Sequence, residues 1–279
     1  MSPAPSSNTD LPRSLLLVGA GKMGFAMLQG WLGRGLDPAR VAVVDPHPSH
    51  ALLDLAGSTA LTLNPEAAGI GPPEVLVLAI KPQSLGDTAG SLAPLAGPET
   101  LVVSILAGKT VADLSRVLPS SGAIVRAMPN LPASIGRGAT GAFPSPGVTA
   151  RQRATADALL SANGIVEWVG SEDLIDVVTA VSGSGPAYLF LLAECLAEAG
   201  REAGLEAELS ERLARQTVVG AAELLGSSGI APAVLRQNVT SPGGTTAAAL
   251  ELLMASDGMG PLLSRAVFAA KRRAAELSG

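Results

Sequence analysis

Two glycine turns hold the residues whose types and spacing suit chemistry. The first is Val239-Thr240-Ser241-Pro242-Gly243-Gly244-Thr245-Thr246, which opens directly onto a helical run over residues 245–255. Paired glycines let the backbone bare its N–H groups, and a helix start adds four unpaired donors and a partial positive charge. Together they form a pocket for a small anion such as a carboxylate. The second turn, Gly19-Ala20-Gly21-Lys22-Met23-Gly24, follows an apolar strand and enters a helix. In that context its glycines serve a tight turn, close approach of backbone to a pyrophosphate, and close packing of helix on strand. One such turn suggests a dinucleotide. Two suggest a dinucleotide and an acidic substrate.

Other candidates surround the second turn. Asp45 lies about 20 residues beyond the Gly19–Gly24 turn, at the end of the second strand, where an acidic side chain meets a ribose 2′-hydroxyl. With no Arg between residues 41 and 50, and only His47 and His50 nearby, it leans toward NADH. The alternative is a strand-ending turn with Pro46. Ala79-Ile80-Lys81-Pro82 ends a further strand and should line the cofactor cleft, although Lys81 also reads as a surface lysine. Ser182-Gly183-Ser184-Gly185-Pro186 reads either as a pocket wall or as a helix cap with a glycine hinge.

The missing residues are equally telling. Carbonyl reduction usually needs a proton donor, commonly His or Lys, beside the hydride acceptor. Both histidines follow the second strand, and no lysine falls between Lys109 and Lys271. A protonated imine is already electrophilic, so this pattern favours C=N over C=O reduction. No metal-ligand spacing appears, and Cys195, amid Leu and Ala, reads as core packing.

These residues must be positioned by two kinds of structure. From residue 14 to about 169, short apolar strands (Leu15–Val18, 74–80, 123–126, Val41–Val44, Leu101–Ser104, with 165–169 as the last) alternate with helical runs at 23–32, 82–93 and 111–118. That alternation implies a mostly parallel, doubly wound α/β sheet with helices on both faces. From residue 170 to 279 the pattern turns all-helical, with runs at 174–182, 186–204, 210–225, 245–255 and 261–277. Residues 1–13 read as a loose tail without the apolar core of a signal peptide.

With 47% apolar but only 3% aromatic residues, the core must be built from Ala, Leu, Val and Ile. The net charge of −5 and the lack of a basic stripe argue against nucleic acid. The longest uncharged run, residues 177–193, is interrupted by the Ser182–Pro186 glycines, which argues against a membrane span. A single cysteine fits the reducing cytoplasm.

Taken in order, several segments resemble pyrroline-5-carboxylate reductases. They are the turn at 19–24, Ala79 to Pro82, Ser104-Ile105-Leu106-Ala107-Gly108, Arg126-Ala127-Met128-Pro129-Asn130, Ser182-Gly183-Ser184-Gly185-Pro186-Ala187-Tyr188, Gln216-Thr217, and the turn at 239–246. The likeness runs from Leu15 to the end of the chain. It implies reduction of 1-pyrroline-5-carboxylate to L-proline by NADPH or NADH. It also implies a Rossmann domain followed by an all-α dimerisation domain, and a homodimer assembled into a larger homo-oligomer.

Carried over to this chain, Ser241, Gly243, Gly244 and Thr245 would cradle the substrate carboxylate. Thr246 would bond the ring nitrogen as the catalytic residue. Gly19, Ala20, Gly21, Lys22, Met23, Gly24, Asn64, Ala79, Ile80, Lys81, Pro82 and Ala107 would bind the dinucleotide, joined by Asp45. Met128, Pro129 and Asn130 would sit near nicotinamide and substrate. Ile230-Ala231-Pro232 departs from a His-Pro pair common in the family, and Cys195 from a small residue.

Overall fold

The structure is a computed structural model that describes residues 10–66 and 71–278. Most of the expected tail, residues 1–9, lies outside the described residues. Its remainder is tied down: Leu11 packs on the core, and the Arg13 backbone N–H donates to the Glu74 carboxylate at 2.8 Å. Contacts divide the chain into two compact units, Met1–Gly183 with Lys271–Gly279, and Ser184–Ala270.

The first unit holds one sheet. In chain order its elements are β1 (Leu15–Val18), α1 (Lys22–Gly33), β2 (Val41–Val44), α2 (His50–Ser58), β3 (Thr62–Leu63), β4 (Val75–Leu78), α3 (Leu85–Leu92), β5 (Leu101–Ser104), α4 (Val111–Val117), β6 (Ala123–Met128), β7 (Gly138–Pro144), α5 (Ala150–Leu160), β8 (Gly164–Trp168) and α6 (Leu174–Val178). Among the described residues the strand order is β3-β2-β1-β4-β5-β6-β7-β8. All neighbours pair in parallel except β6 and β7. The order reverses direction between β1 and β4, the switch point at which doubly wound sheets bind ligands.

Side chains alternate across a strand, so a sheet covered on both faces demands unbroken apolar strands. Leu15, Leu17, Val75, Val77, Leu101 and Val103 face one layer, with Met27, Leu28 and Trp31 of α1 and Leu159 of α5. Leu16, Val18, Leu76, Leu78, Val102 and Ile124 face the other, with Leu85 and Leu92 of α3 and Leu114 of α4. Trp31 is fully buried, and its indole N–H donates to the Leu159 carbonyl at 2.9 Å, pinning α1 to α5.

The structure adds elements absent from the sequence reading. β7 consists largely of small residues because α6 lies against it: a Cβ on Gly141 would fall 2.6 Å from Val178 Cγ1. α5 is polar and alanine-rich, yet Thr149 and Gln152 close a capping box at its start. Instead of continuing regularly, the helix expected over 174–182 widens into a π turn over Thr179–Gly183.

The second unit contains α7 (Gly185–Glu202), α8 (Ala207–Ser228), α9 (Pro232–Asn238), α10 (Thr245–Leu253) and most of α11 (Met259–Ser278). Many large apolar side chains on these helices are exposed, including Leu189, Phe190, Leu191, Leu213, Val219, Leu224 and Phe268. At the Ser182–Pro186 segment the π turn ends at Gly183, Ser184 stands outside any helix and α7 begins at Gly185. By length and composition alone, Leu174–Glu202 taken as one span is apolar enough to cross a membrane.

Candidate active site

Strand register brings most of the candidate cofactor residues to one edge. Val18 pairs with Val44 and Leu78, Leu78 with Ser104, and Ser104 with Arg126. The segments that follow these residues therefore leave the carboxyl ends of adjacent parallel strands. Gly19 to Gly24 follow β1, Asp45 follows β2, Asn64 follows β3, Ala79 to Pro82 follow β4, Ala107 follows β5, and Pro129 and Asn130 follow β6, which ends at Met128.

The three glycines of the first turn answer to different neighbours. A Cβ on Gly19 would lie 2.7 Å from the Ala79 carbonyl oxygen, so this glycine lets β1 and β4 deliver their loops side by side. On Gly24 it would lie 2.3 Å from the Gly19 carbonyl oxygen, which holds α1 close to the strand. On Gly21 it would meet nothing within 4 Å. Gly21 caps α1 without any side chain bonded to the helix's first N–H groups. Free donors, the positive end of a helix dipole and clear space suit a pyrophosphate.

Asp45 organises this turn. One carboxylate oxygen accepts the Ala20 backbone N–H and the other the His47 backbone N–H, each at 2.8 Å. Asn64, at φ +48°, pairs with the Asp45 main chain in both directions: the Asp45 N–H donates to Asn64 Oδ1 and Asn64 Nδ2 donates to the Asp45 carbonyl, each at 2.8 Å. The carboxylate thus forms the turn that the sequence offered as one of its two readings, at the carboxyl end of β2. Lys22 and Lys81 are exposed, and the Lys81 carbonyl accepts the Ser84 N–H at 2.9 Å as the chain turns into α3.

At the β6 end, Asn130 is buried with both ends of its amide engaged. Oδ1 accepts the Ala139 N–H at 2.9 Å, and Nδ2 donates to the Ser182 carbonyl in the π turn at 3.0 Å. Met128 packs there too; a Cβ on Gly183 would fall 2.9 Å from Met128 Cε. Below them, Arg126 is 4% exposed and bridges Glu172 and Asp176, each at 3.2 Å. Glu172 also accepts the Val111 N–H at 2.7 Å, at the start of α4. An arginine in an otherwise apolar strand signals a buried ion pair, but the sequence alone does not name its partners.

The turn at 239–246 belongs to the second unit. The Gly244 N–H donates to the Ser241 carbonyl at 3.0 Å, with Pro242 second and Gly243 third at φ +67°. This is a type II turn, whose third position suits glycine because L side chains are strained there. Gly244 then caps α10 with no side-chain acceptor on the helix's first N–H groups, and a Cβ on Gly243 would meet nothing within 4 Å. Thr245 and Thr246 occupy the first two positions of α10. The turn thus repeats the features of Gly21: uncapped helix donors beside clear space.

The family model described as pyrroline-5-carboxylate reductase dimerisation matches residues 172–277. The one described as NADP oxidoreductase, coenzyme F420-dependent, matches residues 14–108. The pyrroline-5-carboxylate reductase of Pseudomonas aeruginosa is 41% identical over 265 residues, covering 95% of this chain and 96% of its own length. The chain belongs to the pyrroline-5-carboxylate reductase family.

Solved structures of the family superimpose along nearly the whole chain. A pyrroline-5-carboxylate reductase from Coxiella burnetii is 37% identical with a TM-score of 0.87, covering 96% of this chain and 99% of its own. That of Plasmodium falciparum, solved with NADP bound, is 27% identical with a TM-score of 0.78, covering 95% and 98%. As in the sequence reading, this pyrroline-5-carboxylate reductase family member joins a Rossmann-like parallel sheet to a helical region. Among its described residues no group of three or more His, Cys, Asp or Glu side chains is placed to hold a metal.

Proposed function

We propose that this chain reduces the cyclic imine 1-pyrroline-5-carboxylate to L-proline with NADPH or NADH, by hydride delivery to ring carbon C5. Family membership along nearly its whole length carries this reading. The chemistry of the sequence agrees with it, because the span from Lys109 to Lys271 offers neither lysine nor histidine as a carbonyl acid. The assembly is a dimer, which we extend to a larger homo-oligomer working in the cytoplasm.

The residues divide the work. Gly19, Ala20, Gly21, Lys22, Met23 and Gly24 hold the pyrophosphate, Asp45 and Asn64 the adenosine ribose, and Ala79, Ile80, Lys81, Pro82 and Ala107 flank the dinucleotide. When bound, the reduced nicotinamide supplies the hydride. Ser241, Gly243, Gly244 and Thr245 hold the substrate carboxylate. The type II turn and the uncapped start of α10 support that role, since both present N–H donors to an anion. Thr246 hydrogen-bonds the ring nitrogen and keeps its proton in place. Met128, Pro129 and Asn130 wall the site. Catalysis then rests on positioning rather than on a strong acid.

The decisive experiment follows NADH and NADPH oxidation with 1-pyrroline-5-carboxylate, and separately with small 2- and 3-oxoacids. Oxidation with the imine is expected. Turnover confined to oxoacids would overturn the proposal.

A further inference from the structure

Lys271–Gly279 belongs to the same compact unit as the sheet. There the last turn of α11 meets the loop that follows β5. Gly108, at φ +70°, lies so close to Leu277 that a Cβ on it would fall 2.8 Å from the Leu277 carbonyl oxygen and 3.2 Å from its Cβ. Ala274, three residues earlier and thus on the same helix face, is 9% exposed on a helix whose neighbouring residues are open.

The loop itself is fastened at its ends. The Ile105 N–H donates to the Leu78 carbonyl at 3.0 Å, the Lys109 N–H closes a turn on the Leu106 carbonyl at 3.2 Å, and the Val111 N–H meets Glu172. At the apex, next to Ala107, Gly108 lies against the main chain of Leu277.

We infer that the C-terminal turn of α11 is a positioning brace for the cofactor loop, so that dinucleotide affinity depends on residues 274–278 through Gly108. The inference rests on the reading of Ala107 as a dinucleotide neighbour. It explains why a glycine is required at 108: the left-handed turn and the adjoining carbonyl both exclude a side chain.

The test compares the full chain with one ending at Arg273. Equilibrium titration gives the dissociation constants for NADH and NADPH, and light scattering gives the mass. Shortening the chain should weaken both cofactors about five- to tenfold, roughly one decade or less of affinity, with the KM for the imine and the dimer mass unchanged. In the full chain, saturating cofactor should slow amide hydrogen exchange at 275–278.

Unchanged dissociation constants in the shortened chain would overturn the brace, provided Ala107→Trp weakens binding. If Ala107→Trp leaves binding intact as well, the reading of the loop itself fails. Should the shortened chain not assemble, the exchange measurement decides: exchange at 275–278 indifferent to cofactor overturns the inference.

Discussion

Asp45 is the residue at which a turn-forming role and the proposed ribose-binding role can be told apart by experiment. Its carboxylate organises the glycine turn through Ala20 and its own turn through His47, and the proposed function places the adenosine ribose beside it. Asp45→Ser should therefore weaken both cofactors, by about tenfold for a lost hydrogen bond to a charged group. It should also move the ratio of kcat/KM toward NADPH, because a fixed negative charge is removed. An unchanged ratio would leave Asp45 as a turn residue. At the other turn, Thr246→Ala and Gly243→Val should cut turnover about a hundredfold, the usual cost of a misplaced substrate, while dinucleotide titrations stay near the parent value. Gly243 is the sharper probe, since valine strains a backbone at φ +67°. Normal rates in both variants would remove the carboxylate-pocket claim.

At the scale of elements, α4 shows how a site loop is terminated. Thr110 and Asp113 form a capping box, and Arg116 bonds Asp113 at 3.0 Å. Burial pushes the Asp113 carboxyl up, but the Thr110 N–H and hydroxyl and the Arg116 side chain together hold it below its ordinary 3.8. A depressed folded value means the stabilisation is present above pH 3.8 and is lost as pH falls through that lower value. Asp113→Asn should lower stability by about 1 kcal/mol near neutrality. In denaturant titrations the gap should close in strong acid; a gap independent of pH would deny the carboxylate its part. Arg126→Met should cost about 2 kcal/mol, because it leaves the partly exposed Glu172 and Asp176 without their cation. Among the elements themselves, β1, β2 and β5 were legible to the residue, since strands buried on both faces must be continuous apolar runs. β7 was not, because Val178 requires glycine where strand signals call for β-branched residues.

For the molecule as a whole, the exposed leucines, valines and phenylalanines of α7, α8 and α11 lie in the stretch, residues 172–277, that matches the dimerisation model, and burial of such apolar surface favours association. Thermal midpoints should accordingly rise with protein concentration, since association stabilises the folded form by mass action. Midpoints constant over a hundredfold dilution, with monomer mass in light scattering, would contradict this. The sequence alone determined the mostly parallel sheet, the helical second half and both glycine turns, because these depend on local periodicity and on backbone conformations that favour glycine, while the family followed from the resemblance of its motif segments. Tertiary structure decided the partners: Asp45 on Ala20, Arg126 between Glu172 and Asp176, Asn130 on the π turn, and Leu277 behind Gly108. Those contacts join residues tens to more than a hundred positions apart. Local propensity cannot specify them, since they form only when the packed layers bring distant segments together.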